Sequence, residues 1–591
     1  MVYWCHKLYI GVTSAMLAGP LFTREALTVP RQWRHYLLRA GAVAAFTILL
    51  YTAGQATFGF QKVRNVGDVA RFGNYVFSLA GFVQLSLTIA AALLFSANTV
   101  AQEKDKRTLI LLLMTDLRSR ELVLGKLLAS LIPVGTLIAV SLPVLCFIRL
   151  LGGVTLSQVL WLQALCLSAG LAAGSWGTLV AYWREKTFQT LAVTVLGAVL
   201  FLGSVEALSA LLGVELGLGR WISLLNPYRA LGELLHPLAR QPDVAQPVIS
   251  AWEAVIALLG LAASLLTFTT FMVRVWNPSR AAYEQVRDAA QTQATTRSRH
   301  RLIWSNPIIW REICTRAYGR KMLVIKGAYF VLAALLALWV WREPPGAELI
   351  LGMTDRSGAA FTMLTVIGLL LVTAQAVTAL TSERDSQTLE LLLVTDVTAK
   401  EFIFGKLGGI LYNCKEVLLM PLLFLVAYAA KGALNIENFL YLLIGLISLA
   451  GFCAMLGLHA ALSYDVSRRA ILHSLGTVFF LFVGTFLCLV MIVEARASYA
   501  LQFGPFLVFI VGGGLGLWAS LGQRNPSSAL FLAAILLPFL TFYAITGYLL
   551  GNTLGVLLSI VIAYGFTTVA MLIPAVSEFD YALGRTTLER G

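Results

Sequence analysis

Residues 103–126 read EKDKRTLILLLMTDLRSRELVLGK, and residues 383–406 read ERDSQTLELLLVTDVTAKEFIFGK. A constant offset of 280 positions separates them, and 12 of the 24 aligned residues are identical without a gap. The identities include charged residues, threonines and a glycine, so a shared apolar composition does not explain them. They include Glu103/Glu383, Asp105/Asp385, Thr108/Thr388, Leu109/Leu389, Asp116/Asp396, Glu121/Glu401, Gly125/Gly405 and Lys126/Lys406. The chain therefore contains an internal duplication.

The composition is that of a polytopic membrane protein. Of the 591 residues, 58% are hydrophobic and 13% are charged, whereas a soluble domain carries about 25% charged residues. A helix needs about 20 apolar residues to cross a bilayer of ~30 Å, and such stretches recur along the whole chain. We therefore predict an all-α integral membrane protein with about 12 transmembrane helices (12 to 14), built as two parallel six-helix repeats. A soluble enzyme, a disulfide scaffold and a disordered protein are excluded.

Hydropathy divides the chain near its midpoint. The first half, residues 1–285, precedes a polar cytoplasmic linker at 286–305, and the second half is 306–591. Residues 500–549 form either a hairpin that enters and returns from the outside or two true crossings. The predicted spans lie at about 40–58, 74–98, 127–149, 157–181, 188–207, 250–273, 325–342, 358–381, 407–429, 438–463, 470–494, 500–520, 528–549 and 553–575.

The charge distribution predicts the orientation of the chain. Lys and Arg total 44 against 30 Asp and Glu, so the formal net charge is +14. Most basic residues fall in the N-terminal segment, the linker, the C-terminal tail and the loops after the second, fourth, eighth and tenth spans. This positive-inside pattern places both termini in the cytoplasm. No basic stripe is interleaved with aromatic residues, so a nucleic-acid partner is not expected.

A second repeated segment lies upstream of the first span in each half. GPLFTRE begins at Gly19 and NPIIWRE at Asn306, which aligns Arg24 with Arg311 and Glu25 with Glu312. Two weaker repeats pair the short basic loops that begin at Tyr182 and Tyr464, and pair Asn226-Pro227 with Asn525-Pro526 as turn initiators. The N-terminus itself is open, since translation begins at either Met1 or Met16 and a cleaved signal peptide is not expected.

The repeated 24-residue loop predicts a short interfacial helix of roughly ten residues, with its Glu and Asp side chains toward the cytosol. Thr398 and Glu401 form a capping box that starts the next span. The first copy has Arg118 at the position of Thr398, so Ser119 or Asp116 must cap instead. Such an element between two spans suits docking of a partner protein.

These motifs resemble those of the permease subunits of ABC-2-type transporters. The shared pattern is E-x-D-x-x-T-L-x-L-L-L-x-T-D followed by E-x-x-x-G-K, with an upstream P-(I/L)-x-x-R-E. The resemblance implies a permease that moves a substrate, most often outward, across a bacterial inner membrane. It also implies that Glu103 to Leu113 and Glu383 to Leu393 are coupling helices that fit clefts on two ATPase subunits. The implied coupling residues are Glu103, Asp105, Thr108, Leu109, Glu383, Asp385, Thr388 and Leu389, with Arg184 and Arg468 as secondary contacts and Arg24, Glu25, Arg311 and Glu312 in elbow segments.

The ATPase itself is expected to be a separate protein. A phosphate-binding loop requires G-x-x-x-x-G-K-[ST], whereas Gly125-Lys126 and Gly405-Lys406 are each followed by Leu at the start of a span. We expect no cofactor or metal in this chain, with ATP and Mg²⁺ bound by the partner. The two glycines are predicted to let helices approach closely, and the two lysines to reach lipid headgroups.

Lys415 and Glu416 are a possible pathway pair, because they lie about nine residues into a predicted span, where ionisable groups are costly. Pairing with neighbouring charges is the alternative reading. Gly512, Gly513, Gly514 and Gly516 indicate close helix packing or a bent re-entrant segment. A secondary transporter driven by an ion gradient competes with the ATP-driven reading, and a membrane scaffold or sensor is a third class. The cargo is not predicted.

Overall fold

The regular secondary structure is entirely helical in the part of the chain that the computed structural model describes. Those residues are 22–24, 33–58, 65–105, 108–115, 117–184, 187–212, 217–235, 250–277, 306–314, 321–341, 355–385, 397–430, 432, 434–464, 466–495, 499–522 and 527–582. The chain divides into two compact units, residues 1–51 with 60–300 and residues 52–59 with 301–591. The predicted linker at 286–305 lies outside the described residues.

Long apolar helices dominate the first half of the chain, and short ones connect them. The described helices are α1 (Trp33–Phe58), α2 (Val66–Asp105), α3 (Thr108–Leu113), α4 (Ser119–Leu150), α5 (Leu156–Trp183), α6 (Thr187–Leu212), α7 (Leu218–Ser223), α8 (Pro227–Leu235) and α9 (Ala251–Trp276). Asn226-Pro227 was predicted to initiate a turn, and this is confirmed, because the Arg229 amide donates to the Asn226 carbonyl oxygen at 3.2 Å. The Asn226 side chain also accepts a hydrogen bond from the Tyr228 amide at 3.0 Å and caps α8, which is the usual role of Asn before a helix that begins with Pro.

In its described residues, the second half has one short helix followed by eight long ones. They are α10 (Pro307–Cys314), α11 (Lys321–Trp341), α12 (Arg356–Asp385), α13 (Ala399–Ala430), α14 (Ile436–Ser463), α15 (Ser467–Ala495), α16 (Tyr499–Leu521), α17 (Ser528–Leu549) and α18 (Thr553–Ala582). Where the first half has the short helices α7 and α8, the second has the long helices α16 and α17. Each of these two is over ~30 Å long at 1.5 Å per residue, which is enough for a full crossing.

Every predicted span coincides with a helix. Twelve helices in the described residues are long and apolar enough to cross a membrane. Shorter apolar stretches, Val193–Ser209 and Lys326–Trp341, lie within α6 and α11. The protein is therefore an all-α polytopic membrane protein, as its composition predicted.

The two halves pack their helices in the same order. In the first, α2 packs against α5 and α5 against α9, and in the second α12 packs against α14 and α14 against α18. Two glycines mark equivalent close approaches: a Cβ on Gly177 would lie 2.8 Å from the Leu93 carbonyl oxygen, and one on Gly457 would lie 2.7 Å from that of Thr373. Both pairs differ by 280 positions, so the duplication extends from the loops into the membrane-spanning helices.

Candidate functional site

The elbow helix α10 begins with a strong local signal. Asn306 precedes Pro307, and its side-chain oxygen accepts hydrogen bonds from the amides of Ile308 at 2.9 Å and Ile309 at 3.1 Å. Proline is favoured at the first helical position because its missing N–H would have no partner there. The Asn306 amide group donates to the Glu401 carbonyl oxygen at 3.1 Å. This one side chain therefore starts α10 and attaches it to the first turn of α13.

Four charged side chains meet where α10, α12 and α13 converge. The Lys406 ammonium lies 2.5 Å from a Glu312 carboxylate oxygen and 2.7 Å from one of Glu383. Arg311 lies 3.1 Å from the same Glu383 oxygen. The side chains of Lys406 and Glu312 are 1% and 3% exposed, so these ions are almost entirely removed from water. Buried charges require such pairing. We call Arg311, Glu312, Glu383 and Lys406 the elbow quartet.

The elbow quartet corrects two predictions. Lys406 does not reach lipid headgroups, because its ammonium is held inside the chain by two carboxylates. Glu383 does not face the cytosol, because its side chain is 8% exposed and paired with Lys406 and Arg311. Sequence reasoning placed these residues on the surface because it considered each charge separately. It did not predict that α10, the end of α12 and the start of α13 converge.

Two glycines of α13 allow α10 to lie close enough for these ion pairs. A Cβ on Gly405 would lie 2.9 Å from the Ile308 Cβ, and one on Gly409 would lie 2.5 Å from the Glu312 Cβ. Such distances are too short for carbon atoms. The predicted close approach at Gly405 is therefore confirmed, with α10 as the neighbouring helix.

We expect Gly409→Ala to lower the free energy of unfolding by about 1–3 kcal/mol, because the added methyl group must push Glu312 away from Lys406. Gly408→Ala is the matched control on the same helix. Its Cβ would lie 3.8 Å from Ile309, an ordinary contact, and the gain in helix propensity should leave it neutral or slightly stabilising. Thermal unfolding of both variants in detergent measures the difference, and equal midpoints would contradict the crowding argument.

The first half has a simpler version of the same cluster. Lys126 lies 3.0 Å from a Glu103 carboxylate oxygen, and its side chain is 6% exposed. The prediction that Lys126 reaches headgroups is therefore also wrong. The Thr108 hydroxyl donates to the other oxygen of Glu103, so the end of α2 is joined to the start of α3. Arg24 is exposed, and its neighbour Glu25 lies outside the described residues.

The predicted interfacial helix is α3, and it is six residues long rather than about ten. Leu109 was predicted to contact the ATPase, but it is 4% exposed and packs in a cluster with Val100 of α2 and Tyr182 of α5. Leu111 and Met114 point away from this cluster and are 64% and 77% exposed. The outward surface is therefore apolar at Leu111 and Met114. The sequence analysis selected Leu109 because the same residue occurs in both repeats. A residue is retained in both repeats for packing as readily as for docking, so identity alone did not distinguish the two roles.

The end of each loop is capped differently. In the second half, the Thr398 amide donates to the Glu401 carboxylate at 3.0 Å and the Glu401 amide to the Thr398 hydroxyl at 3.2 Å, so the predicted capping box is confirmed. In the first half, the Arg118 amide donates to the Glu121 carboxylate at 3.2 Å. Ser119 was predicted as a possible cap, but its hydroxyl accepts a hydrogen bond from Arg274 at 3.1 Å.

Arg274 of α9 is a functional residue that sequence reasoning missed. Besides binding Ser119, it donates to the Leu117 carbonyl oxygen at 3.1 Å. The last span of the half is thereby attached to the loop between its second and third spans. A lone arginine near the end of a span gave no signal for this contact, because cationic residues at that depth are common as membrane anchors.

Lys104 and Arg384 are a second missed pair, and they make equivalent contacts. Lys104 donates to the carbonyl oxygens of Tyr182 at 2.6 Å and Arg184 at 2.9 Å. Arg384 donates to those of Ala461 at 3.0 Å and Tyr464 at 2.6 Å. A cation at a helix C-terminus satisfies carbonyl groups that lack helical partners. Each loop is therefore tied to the end of the fourth span, and the retained positive charge at offset 280 was the available signal.

These contacts also correct an alignment. Arg184 and Tyr464 both follow the last residue of a helix and both give a carbonyl oxygen to the cation. The predicted pairing of Tyr182 with Tyr464 is thus wrong by two residues. Burial raises the pKa of Tyr464 to about 12 and lowers the pKa of the Arg184 guanidinium, which lies 3.6 Å from the Trp183 ring centroid.

We expect Lys104→Met to lower the free energy of unfolding by about 1.5–3 kcal/mol, since hydrogen bonds to charged groups contribute in this range. Lys104→Arg is the matched control, because the second half already uses arginine at this position. The reciprocal changes Arg384→Met and Arg384→Lys repeat the test in the other half. Unfolding midpoints should fall only for the methionine variants, and an equal loss in Lys104→Arg would show that packing rather than the cation is responsible.

The possible pathway pair is separated in the structure. Glu416 lies 2.9 Å from Lys326 of α11, and the Lys415 ammonium lies 3.8 Å from the Tyr412 ring centroid. Pairing with a neighbouring charge, the alternative considered for Glu416, is therefore found. A role for either residue in a pathway stays a prediction.

Several predicted site residues cannot be placed. Thr388 and Leu389 lie outside the described residues, and so do Asp116 and Asp396. The side chains of Asp105, Asp385 and Arg468 lie outside them as well. The implied contacts of these residues with an ATPase stay predictions.

A comparison with known protein families finds a match in the first half of the chain. Residues 40–276 match the family model described as ABC-2 family transporter protein. The match spans α1 to α9, which include the Lys126–Glu103 pair and the exposed loop helix. No curated protein matches the chain. The first half of the chain is therefore similar to ABC-2 family transporter proteins.

Proposed function

We propose that this protein is a transporter permease driven by ATP through separate ATPase subunits, that both halves of the chain form its membrane part, and that it exports its substrate. The ATPase subunits, two copies in this proposal, bind ATP and Mg²⁺, and this chain supplies the docking loops. Both termini lie in the cytoplasm of a bacterium, with the chain in the inner membrane. The sequence resemblance of the second half to the first, at the loops and at Gly177/Gly457, supports a pathway built from two related halves.

The observation that carries the proposal is the construction of the loop that bears α3. Its inward residues are fixed to the membrane-spanning helices by Glu103, Lys126 and Thr108. Its outward residues, Leu111 and Met114, are apolar and exposed. Exposed apolar side chains on a rigid base are suited to burial in a cleft of another protein. The ionised residues that first suggested docking thus support the loop, and the leucine and methionine make the contact.

A force on α3 would reach four spanning helices at once. The cluster beneath it contains Leu109 together with Val100 of α2, Leu122 of α4, Tyr182 of α5 and Val273 of α9. Packed interiors have low compressibility and transmit displacement. Closure of an ATPase on Leu111 and Met114 would therefore move the cytoplasmic ends of these helices together, which is the coupling step that we propose.

The competing function is a secondary transporter driven by an ion gradient. A duplicated transporter of that kind would carry ionisable groups at equivalent depths in both halves. Glu416 and Lys415 correspond to Thr136 and Gly135 at the offset of 280, so the charge is not repeated. The repeated charges lie instead at the loop bases, which favours the ATP-driven mechanism.

Affinity purification tests the proposal. The tagged protein is isolated from its native host in a mild detergent, and co-purifying proteins are identified by mass spectrometry. We expect a protein that carries a phosphate-binding loop, and we expect ATP hydrolysis in the isolated complex. Absence of such an ATPase under conditions that preserve other membrane complexes would overturn the proposal, as would uptake or export that depends on an ion gradient and persists without ATP.

A further inference from the structure

The hairpin formed by α15 and α16 contains a groove of about 340 Å³. Its walls include Gly476, Thr477 and Phe480 of α15 and Gly516 and Ser520 of α16. The Thr477 and Ser520 hydroxyl oxygens lie 2.8 Å apart, so the two helices are bonded to each other at the groove. All of these residues belong to the second unit of the chain.

Two glycines open the groove. A Cβ placed on Gly476 or on Gly516 would meet no atom within 4 Å. Gly513 and Gly514 behave differently, because their added Cβ atoms would lie 3.7 Å from Pro538 and 3.2 Å from the Ala534 carbonyl oxygen of α17. Close helix packing, predicted for the whole glycine run, therefore holds toward α17 only. On the side of α15 the missing side chains leave space.

The groove has one polar and cationic end. His473 lines it near the start of α15, where its ring stacks on Tyr464 with centroids 4.4 Å apart. Arg469 is exposed and lies one helical turn earlier, so the two side chains share a face of the helix. Beyond Thr477 the wall becomes apolar, with Phe480 and Leu517.

The apolar end continues deeper into the hairpin. A second cavity of about 50 Å³ shares Phe480 and Leu517 with the groove and extends to Cys488. From Leu472 to Cys488 the helix rises about 24 Å at 1.5 Å per residue. One leaflet of a bilayer has a hydrocarbon depth of about 15 Å, half of ~30 Å. The linings of the two neighbouring cavities therefore extend along the helix far enough to accompany an acyl chain that starts at the cationic end.

We propose that this groove binds an anionic phospholipid, with the phosphate at Arg469 and His473 and an acyl chain along Gly476, Gly516 and Phe480. The cationic end matches the charge of the headgroup, and the apolar path matches the chain in direction and length. The site lies outside residues 40–276 and is independent of the proposed coupling through α3, because it uses no residue of the repeated segments 103–126 and 383–406.

Lipid retention tests the site. The purified protein is washed with detergent, exchanged into phosphatidylglycerol or phosphatidylcholine, and analysed by native mass spectrometry. We expect phosphatidylglycerol to be retained at least tenfold more strongly than phosphatidylcholine. Gly476→Leu and Gly516→Leu should each abolish this preference by filling the groove, and Arg469→Ala should weaken it. Gly451→Leu of α14 is the matched control, since a Cβ there also meets nothing within 4 Å.

Four results would overturn the proposal. One is equal retention of the two lipids, and another is unchanged retention in both filled-groove variants. The third is competition by inorganic phosphate alone as effective as by phosphatidylglycerol, which would assign the site to a free anion. Because the variants could unfold, thermal stabilisation of the wild-type protein by each lipid is measured in parallel, and a larger shift with phosphatidylcholine would also contradict the proposal.

Discussion

Replacing Lys406 with methionine should prevent most of the protein from folding stably. Its ammonium is the shared partner of Glu312 and Glu383, and all three side chains are buried. Removing Lys406 leaves the buried Glu312 carboxylate without its cation and leaves Glu383 with Arg311, and stranding a buried charge in this way costs about 3–5 kcal/mol. A loss of that size is comparable with the whole stability of many domains. We expect a strongly reduced yield of monodisperse protein and a lower unfolding midpoint by size-exclusion chromatography and thermal scanning.

Charge balance provides the control for this prediction. In the double variant Lys406→Met/Glu312→Gln, one cation and one anion are removed together, and the Arg311–Glu383 pair remains. We expect the double variant to recover part of the stability lost in Lys406→Met. If both fold equally poorly, the loss of lysine packing rather than of charge would explain the defect.

The same substitution in the first half should be milder. Lys126 is buried, but the Glu103 side chain is 24% exposed. Water can therefore partly solvate the Glu103 carboxylate once it has lost its lysine partner. Lys126→Met should therefore lower the unfolding midpoint less than Lys406→Met. A larger loss at Lys126 would contradict the ranking by burial.

Replacing Leu111 and Met114 with aspartate should separate the protein from the proposed ATPase without unfolding it. Both side chains are exposed, so the folded chain loses no packing. An apolar contact buried in a partner contributes about 1.5–3 kcal/mol per large side chain, and each 1.4 kcal/mol is a factor of ten in affinity. We expect at least a tenfold reduction of co-purified ATPase and a corresponding loss of transport.

An exposed leucine at the far end of α4, the span that follows the α3 loop, is the matched control. Leu150 is 79% exposed at the end of α4, and Leu150→Asp should leave ATPase recovery unchanged. The equivalent positions of the second loop, Leu391 and Val394 at the offset of 280, allow the test to be repeated there. Unchanged co-purification in Leu111→Asp/Met114→Asp would show that the ATPase docks elsewhere.

The fold was largely predictable because a membrane-spanning helix is recognised from its local sequence alone. A run of about 20 apolar residues is helical in a bilayer, whatever it packs against. The capping box at Thr398 was predictable for the same reason, since its partners lie within four residues. The internal duplication at an offset of 280 positions also predicted that equivalent contacts would occur within each half.

The orientation of the loop side chains could not be predicted because it depends on distant partners. Glu383 and Lys406 are 23 residues apart and meet Glu312 from a third segment, and no local pattern specifies that convergence. A repeated carboxylate has the same appearance in sequence whether it pairs internally or faces a partner protein. Leu109 and Leu111 likewise differ by two positions in one leucine run and differ completely in burial.

The elbow quartet gives α10 an unusual electrostatic property. The helix brings one cation, Arg311, and one anion, Glu312, to a junction that already holds Lys406 and Glu383. If α10 moved away, the remaining lysine and glutamate would still neutralise each other at 2.7 Å, in the same arrangement as Lys126 and Glu103. The docked helix is therefore electrically neutral as a unit: its removal would break the Lys406–Glu312 and Arg311–Glu383 ion pairs but would leave no net charge behind at the junction.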